Sequence, residues 1–138
     1  MLKSSVFAVT LMASSAALAA HSSDAVPKFA GIYQVSSQFI CGTAISSTAM
    51  GTYNFHQHKG EFDLSEMVYG VGTYGREILP GIPYAATANT FSTGTGTGTV
   101  VWDMTYNADS KGVVNTATLI EEESPTGVPC VRTVQLFR

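Results

Sequence analysis

The chain has 138 residues, 45% of them hydrophobic, with a net charge of −3, which excludes an intrinsically disordered protein because such chains are poor in apolar residues and highly charged. This length suits a single domain. Ten acidic residues outnumber seven basic ones and no basic stripe is present, so nucleic acid and anionic membrane surfaces are poor candidates as partners.

The first twenty residues have the three-part pattern of a cleavable secretory signal peptide. Lys3 supplies a positive charge, and an uncharged, mostly apolar run follows it. Ala17-Leu18-Ala19 then places small residues at the positions that signal peptidase recognises. A transmembrane anchor fits less well, because the run is shorter than the about 20 apolar residues that a span needs. We therefore expect a signal peptide over 1–20, cleaved after Ala19 or Ala20, then one secreted or periplasmic domain over 21–138 with no membrane span.

Helix signals are weak along the whole chain, and Gly, Thr, Ser, Val and Tyr dominate in the mixture typical of strands and tight turns. The alternation of Tyr33 and Val35 with polar neighbours predicts a first strand, and the turn His58-Lys59-Gly60 predicts a hairpin between the second and third. The seven predicted strands are, in chain order, 29–41, 51–57, 61–71, 84–93, 100–106, 113–122 and 130–137.

A loop is predicted between the third and fourth strands, over Gly72 to Pro83, because glycine and proline recur there. It is unusually apolar for a loop. Tyrosine and arginine are enriched in contact surfaces, so a ligand or a partner could be bound here. The candidate binding residues in and beside this loop are Tyr69, Tyr74, Arg76 and Tyr84. The alternative is that its aliphatic side chains close one end of the domain.

Cys41 and Cys130 are the only two cysteines, and an even number in an exported protein predicts a disulfide. They are isolated from one another and from any Cys-x-x-Cys spacing, so a zinc site built on them is a poor alternative.

The predicted disulfide joins the end of the first strand to the start of the last one. If those strands pair antiparallel, Phe39 lies opposite Arg132, Ser37 opposite Val134, and Val35 opposite Leu136. Pairing of the first and last strands closes a meander into a barrel and removes its edges. The sequence thus predicts an all-β fold, a small antiparallel meander barrel of seven or eight strands, with a two-sheet β-sandwich as the alternative.

The opening Gly31-Ile32-Tyr33, followed by a meander and a disulfide near the C-terminus, resembles the calycins, the lipocalin-like barrels. Their first strand carries a Gly-x-Trp motif, in which Tyr replaces Trp here. The resemblance implies a barrel whose mouth binds a small apolar molecule.

Two histidines at i and i+2, His56 and His58, share one face of a strand and form a candidate copper or zinc site. Glu61 or Asp63 across the turn could supply a third ligand. If cleavage follows Ala20, the N-terminal amine and imidazole of His21 could also chelate copper. The alternative is an ordinary solvent-exposed hairpin end.

Catalysis has little support in the sequence. No Gly-x-Ser-x-Gly elbow is present, and cysteines in a disulfide cannot act as thiolate nucleophiles. We therefore expect a non-enzymatic binding or interaction module without a cofactor, whose partner is a small apolar molecule or a protein. The alternative is an exported metal-binding protein that uses the histidines.

Overall fold

The structure is a computed structural model that describes residues 25–70, 72–94, 98–123 and 127–138. The predicted signal peptide and His21 lie outside the described residues. Both therefore remain predictions.

Eight antiparallel strands form one closed barrel in simple chain order, and the last strand pairs with the first. The all-β fold and the meander barrel are therefore confirmed, and the sandwich alternative is wrong. The strands are β1 Gly31–Cys41, β2 Ala44–His56, β3 Glu61–Gly70, β4 Thr73–Ala86, β5 Thr90–Thr93, β6 Val100–Ala108, β7 Val114–Glu123 and β8 Cys130–Phe137. The described residues contain no α-helix.

The pairing of β1 with β8 has the predicted register, with Phe39 opposite Arg132 and Val35 opposite Leu136. At the end of that ladder the predicted disulfide joins Cys41 to Cys130, whose Cα atoms are 4.1 Å apart. The crosslink therefore ties the two strands that close the barrel.

One end of the barrel, where β1 begins, is filled with aromatic side chains, and we call it the closed end. Phe29 enters it from the segment before β1, is 1% exposed, and stacks on Phe55 with ring centroids 4.9 Å apart. The Tyr33 hydroxyl donates a 2.6 Å hydrogen bond to the carbonyl oxygen of Val114. A short parallel bridge between Lys28 and Val113 holds the entering segment in place. The opposite end, where β1 ends at the disulfide, is the mouth.

The loop predicted over Gly72 to Pro83 is wrong, because these residues form most of β4, which pairs with β3. Among the described strands β5 joins β4 only from Tyr84 onward, so the mouth half of β4 is an edge. An edge tolerates proline, which cannot donate to a ladder, and its side chains are exposed on both faces. The alternation that identifies a half-buried strand is therefore missing.

The strand predicted over 84–93 is divided in the structure into the end of β4 and the short β5. The hydroxyl of Thr87 organises the connection, accepting a 3.0 Å hydrogen bond from the backbone N–H of Thr90. Side-chain capping of this kind is a turn signal. β2 also begins earlier than predicted, at Ala44.

Gly51 lies where β2 and β3 approach most closely. A Cβ atom at this position would overlap with the carbonyl oxygen of Ser65 and crowd the Cα atom of Glu66. Only glycine lets the two backbones pass so close to one another.

Candidate functional site

A cavity of about 400 Å³ occupies the barrel between the aromatic closed end and the mouth. All eight strands contribute to its wall, which identifies it as the barrel interior rather than a surface groove. One lining residue from each strand, in order, is Phe39, Ser47, Glu66, Glu77, Phe91, Trp102, Leu119 and Arg132.

The deep part of the cavity is an aromatic floor. Tyr53 and Phe62 lie with ring centroids 4.9 Å apart, and Phe91 and Trp102 with centroids 6.1 Å apart. All four side chains line the cavity. The floor offers ring faces to an apolar or cationic group.

Glu66 is a buried carboxyl group in the cavity wall. The residue is 7% exposed, and its Oε1 atom has no hydrogen-bond partner within the residues that the structure describes. Burial raises the pKa of Glu66, and the negative charge of Glu77 raises it further, whereas a hydrogen bond with Tyr53 and the charge of Arg132 lower it. Burial and the neighbouring Glu66 carboxylate also raise the pKa of Tyr53.

Trp102 places a second unsatisfied polar atom in the same wall. The residue is 9% exposed, and its indole Nε1 has no acceptor in the described part of the chain. A buried donor without an acceptor costs about 1–3 kcal/mol. Two residues that line the cavity, Glu66 and Trp102, therefore each carry a buried polar atom without a partner in the described residues.

An arginine stands near the mouth beside acidic groups. The Nη1 atom of Arg132 is 3.8 Å from Oε2 of Glu121, and its guanidinium carbon lies 5.1 Å from the ring centroid of Phe39. Burial, a hydrogen bond that protonated Glu121 donates to Glu123, and the negative charge of Glu123 together raise the pKa of Glu121 to about 7. Glu121 can therefore change charge near neutral pH, and Glu66, whose pKa burial also raises, lies in the same half of the barrel.

The predicted metal ligands lie at the other end. His56 ends β2, and its Nε2 atom is 2.8 Å from Oδ2 of Asp63, whose Oδ1 atom accepts the backbone N–H of Gly81 at 2.9 Å. His58 is exposed in the following turn. Within the described ranges no group of three or more His, Cys, Asp or Glu side chains could hold a metal ion. The histidine site stays a prediction.

Three of the four predicted binding residues share the outer surface of the β3–β4 hairpin. Tyr69 and Tyr74 are cross-strand partners, 46% and 70% exposed, with ring centroids 5.3 Å apart. Arg76 follows on the same face and is exposed. Tyr84 instead points into the barrel, where its ring packs against Phe55 at 5.0 Å.

The cavity residues were not predicted from the sequence, although the sequence of β3 contains one indication of them. Phe62, Leu64, Glu66 and Val68 alternate along β3, so the carboxyl group of Glu66 occupies a position of the apolar face. A charged residue at such a position is a candidate site residue.

Comparisons of the chain with protein-family models, with curated proteins and with solved structures found no match. In the part of the chain that the structure describes, no helix is long and apolar enough to cross a membrane.

Proposed function

We propose that this protein is an exported, non-enzymatic binding protein that takes a small organic molecule into the barrel cavity through the mouth. The observation that carries the proposal is the cavity of about 400 Å³ whose wall contains the unsatisfied atoms of Glu66 and Trp102. Binding sites for small molecules commonly measure about 300–1,000 Å³ and combine apolar walls with a few polar groups.

The two ends of the barrel support this use. The closed end is packed around Phe29. A molecule therefore enters through the mouth, into a cavity whose wall is already formed. The Cys41–Cys130 disulfide lies at the mouth and holds β1 against β8. A preformed site loses less conformational entropy on binding than a flexible one. An oxidised disulfide also suits the export that the signal-peptide pattern predicts.

The chain contains one tryptophan, and it lines the cavity, so its fluorescence can report binding directly. We expect 3-phenyl-1-propanol, an uncharged probe of suitable size, to cause a saturable change in Trp102 emission with a Kd below about 1 mM.

A matched pair of variants on β2 tests the location. Ala49 is buried and lines the cavity, whereas Met50 is 64% exposed on the outer surface. We expect Ala49→Phe to fill the cavity and remove binding and Met50→Phe to keep it. Ser47→Phe, nearer the mouth, provides a second cavity-filling variant if the first folds poorly. Unchanged binding in a folded cavity-filling variant overturns the proposal, and so does the lack of saturable binding by this alcohol and by its amine and carboxylate analogues.

A further inference from the structure

We propose that the cavity selects an organic ammonium ion, whose charged nitrogen lies between Glu66 and Glu77 and whose apolar part rests on the aromatic floor. This inference rests on the proposed function, since it names the ligand class of the same cavity. It starts from a register position: Glu66 of β3 and Glu77 of β4 are direct cross-strand partners, and both line the cavity.

Two carboxylates directly opposite one another on adjacent strands repel each other. The charge of Glu77 is one of the causes that raise the pKa of Glu66. A cation placed between the two carboxylates turns this repulsion into two attractions. The pair is therefore better suited to a bound cation than to any neutral or anionic group.

Arg132, the protein's own cation in this wall, has other neighbours besides Glu66. Arg132 lies next to Glu121 and over the Phe39 ring, and its effect on the pKa of Glu66 is the weakest of the four causes. Arg132 therefore does not fully neutralise the negative charge of the lining carboxylates, and a cationic ligand can do so.

Further observations also point to a ligand. The Oε1 atom of Glu66 is free of hydrogen bonds in the described residues, although the residue is more than nine-tenths buried. The rings of Tyr53 and Trp102 line the same space, and aromatic faces attract ammonium groups. Independently of the carboxylate pair, Trp102 also lines the cavity, and its buried indole Nε1 is a donor without a partner in the described residues.

A metal ion fits this wall less well than an organic cation. Hard divalent cations need about six or more oxygen ligands. The described ranges hold no group of three or more His, Cys, Asp or Glu side chains in a metal-binding arrangement. The aromatic floor also favours the partly apolar body of an organic ammonium.

The test compares three probes of nearly equal shape: 3-phenylpropylamine, 3-phenyl-1-propanol and 3-phenylpropanoate. We expect calorimetry at neutral pH to give an amine affinity about tenfold or more above that of the alcohol, with the acid weakest. An alcohol that binds as tightly as the amine overturns this inference but leaves the proposed function intact. If none of the three binds below about 1 mM, both proposals fail.

Isosteric variants then locate the preference. We expect Glu66→Gln or Glu77→Gln to lower amine affinity about tenfold while alcohol affinity stays within about twofold. Glu122→Gln is the matched control, because it removes the same charge from an exposed residue of β7. An equal loss of amine affinity in Glu122→Gln shows that net charge alone attracts the amine, which overturns the inference. Glu77 is exposed, so its variant does not depend on repacking the interior.

Discussion

The two ends of this barrel are built from the same eight strands but have opposite character. At the closed end the inward positions carry aromatic rings, and the buried hydroxyl of Tyr33 has its hydrogen-bond partner. At the mouth the inward positions carry Glu66, Glu77 and Arg132 around open space. Buried aromatic side chains pack at a density close to that of organic crystals. Charged side chains do not fill the space between them in this way. Packing thus concentrates at one end, and charged side chains around the cavity concentrate at the other.

The largest expected effect tests the closed end. Phe29→Ala should lower the free energy of unfolding by about 3–5 kcal/mol, because a fully buried phenylalanine is removed from a packed aromatic cluster. Denaturant unfolding measures the loss. Phe137→Ala, at a 44% exposed position, is the matched control and should cost less than about 1 kcal/mol. Equal costs would show that the closed end is no more tightly packed than the surface.

The mouth should depend instead on its crosslink. Cys41 and Cys130 are 89 positions apart, and the Cys41→Ala/Cys130→Ala variant should lose about 2–4 kcal/mol because the unfolded chain gains freedom. Unfolding with and without reductant measures this loss in the native chain. The variant itself should not respond to reductant. An unchanged midpoint on reduction of the native chain would show that packing alone holds the mouth together.

Carboxyl groups at the mouth should make stability depend on pH near neutrality. Burial raises the pKa of Glu66 and, from 4.5 to about 7, that of Glu121. The folded state therefore binds more protons than the unfolded state in this window, and the free energy of unfolding should fall as pH rises from about 4.5 to about 7. Unfolding series at several pH values measure the slope.

Two variants identify the carboxyl groups that cause this dependence of stability on pH. Glu121→Gln and Glu66→Gln should each flatten it, whereas Glu122→Gln should leave it unchanged. Asp63 and Asp109 have pKa values lowered below 3.8 by hydrogen bonds, so their stabilisation is lost only at more acidic pH. A slope of opposite sign between 4.5 and 7 contradicts this account.

The smallest effect would come from a metal at the closed end, which would make both ends binding sites. The histidine hypothesis predicts copper affinity tighter than about 1 mM, lost in His56→Ala/His58→Ala. Calorimetric titration of the purified protein measures it, and mass spectrometry of its N-terminus decides whether His21 can contribute. Affinity weaker than that, or unchanged in the double variant, rejects the hypothesis.

The sequence predicted more of the fold than of the site. The cysteine positions and the alternation in the first and last strands determined the register of β1 against β8, because side chains on a strand alternate with period two. Most of β4 was not predicted as a strand. An exposed edge strand has no face to bury, so it tolerates Pro80 and Gly81.

The sequence by itself determined that this chain forms an all-β domain whose ends are joined by a disulfide. Only the tertiary structure decided which end is filled and which is open. Glu66, Glu77, Trp102 and Arg132 come from four strands and meet only when the barrel closes. Alternation along a strand tells which side chains point inward, but not how far from the barrel axis their tips stop. That distance depends on the volumes of all the inward side chains at one level, which no single strand contains.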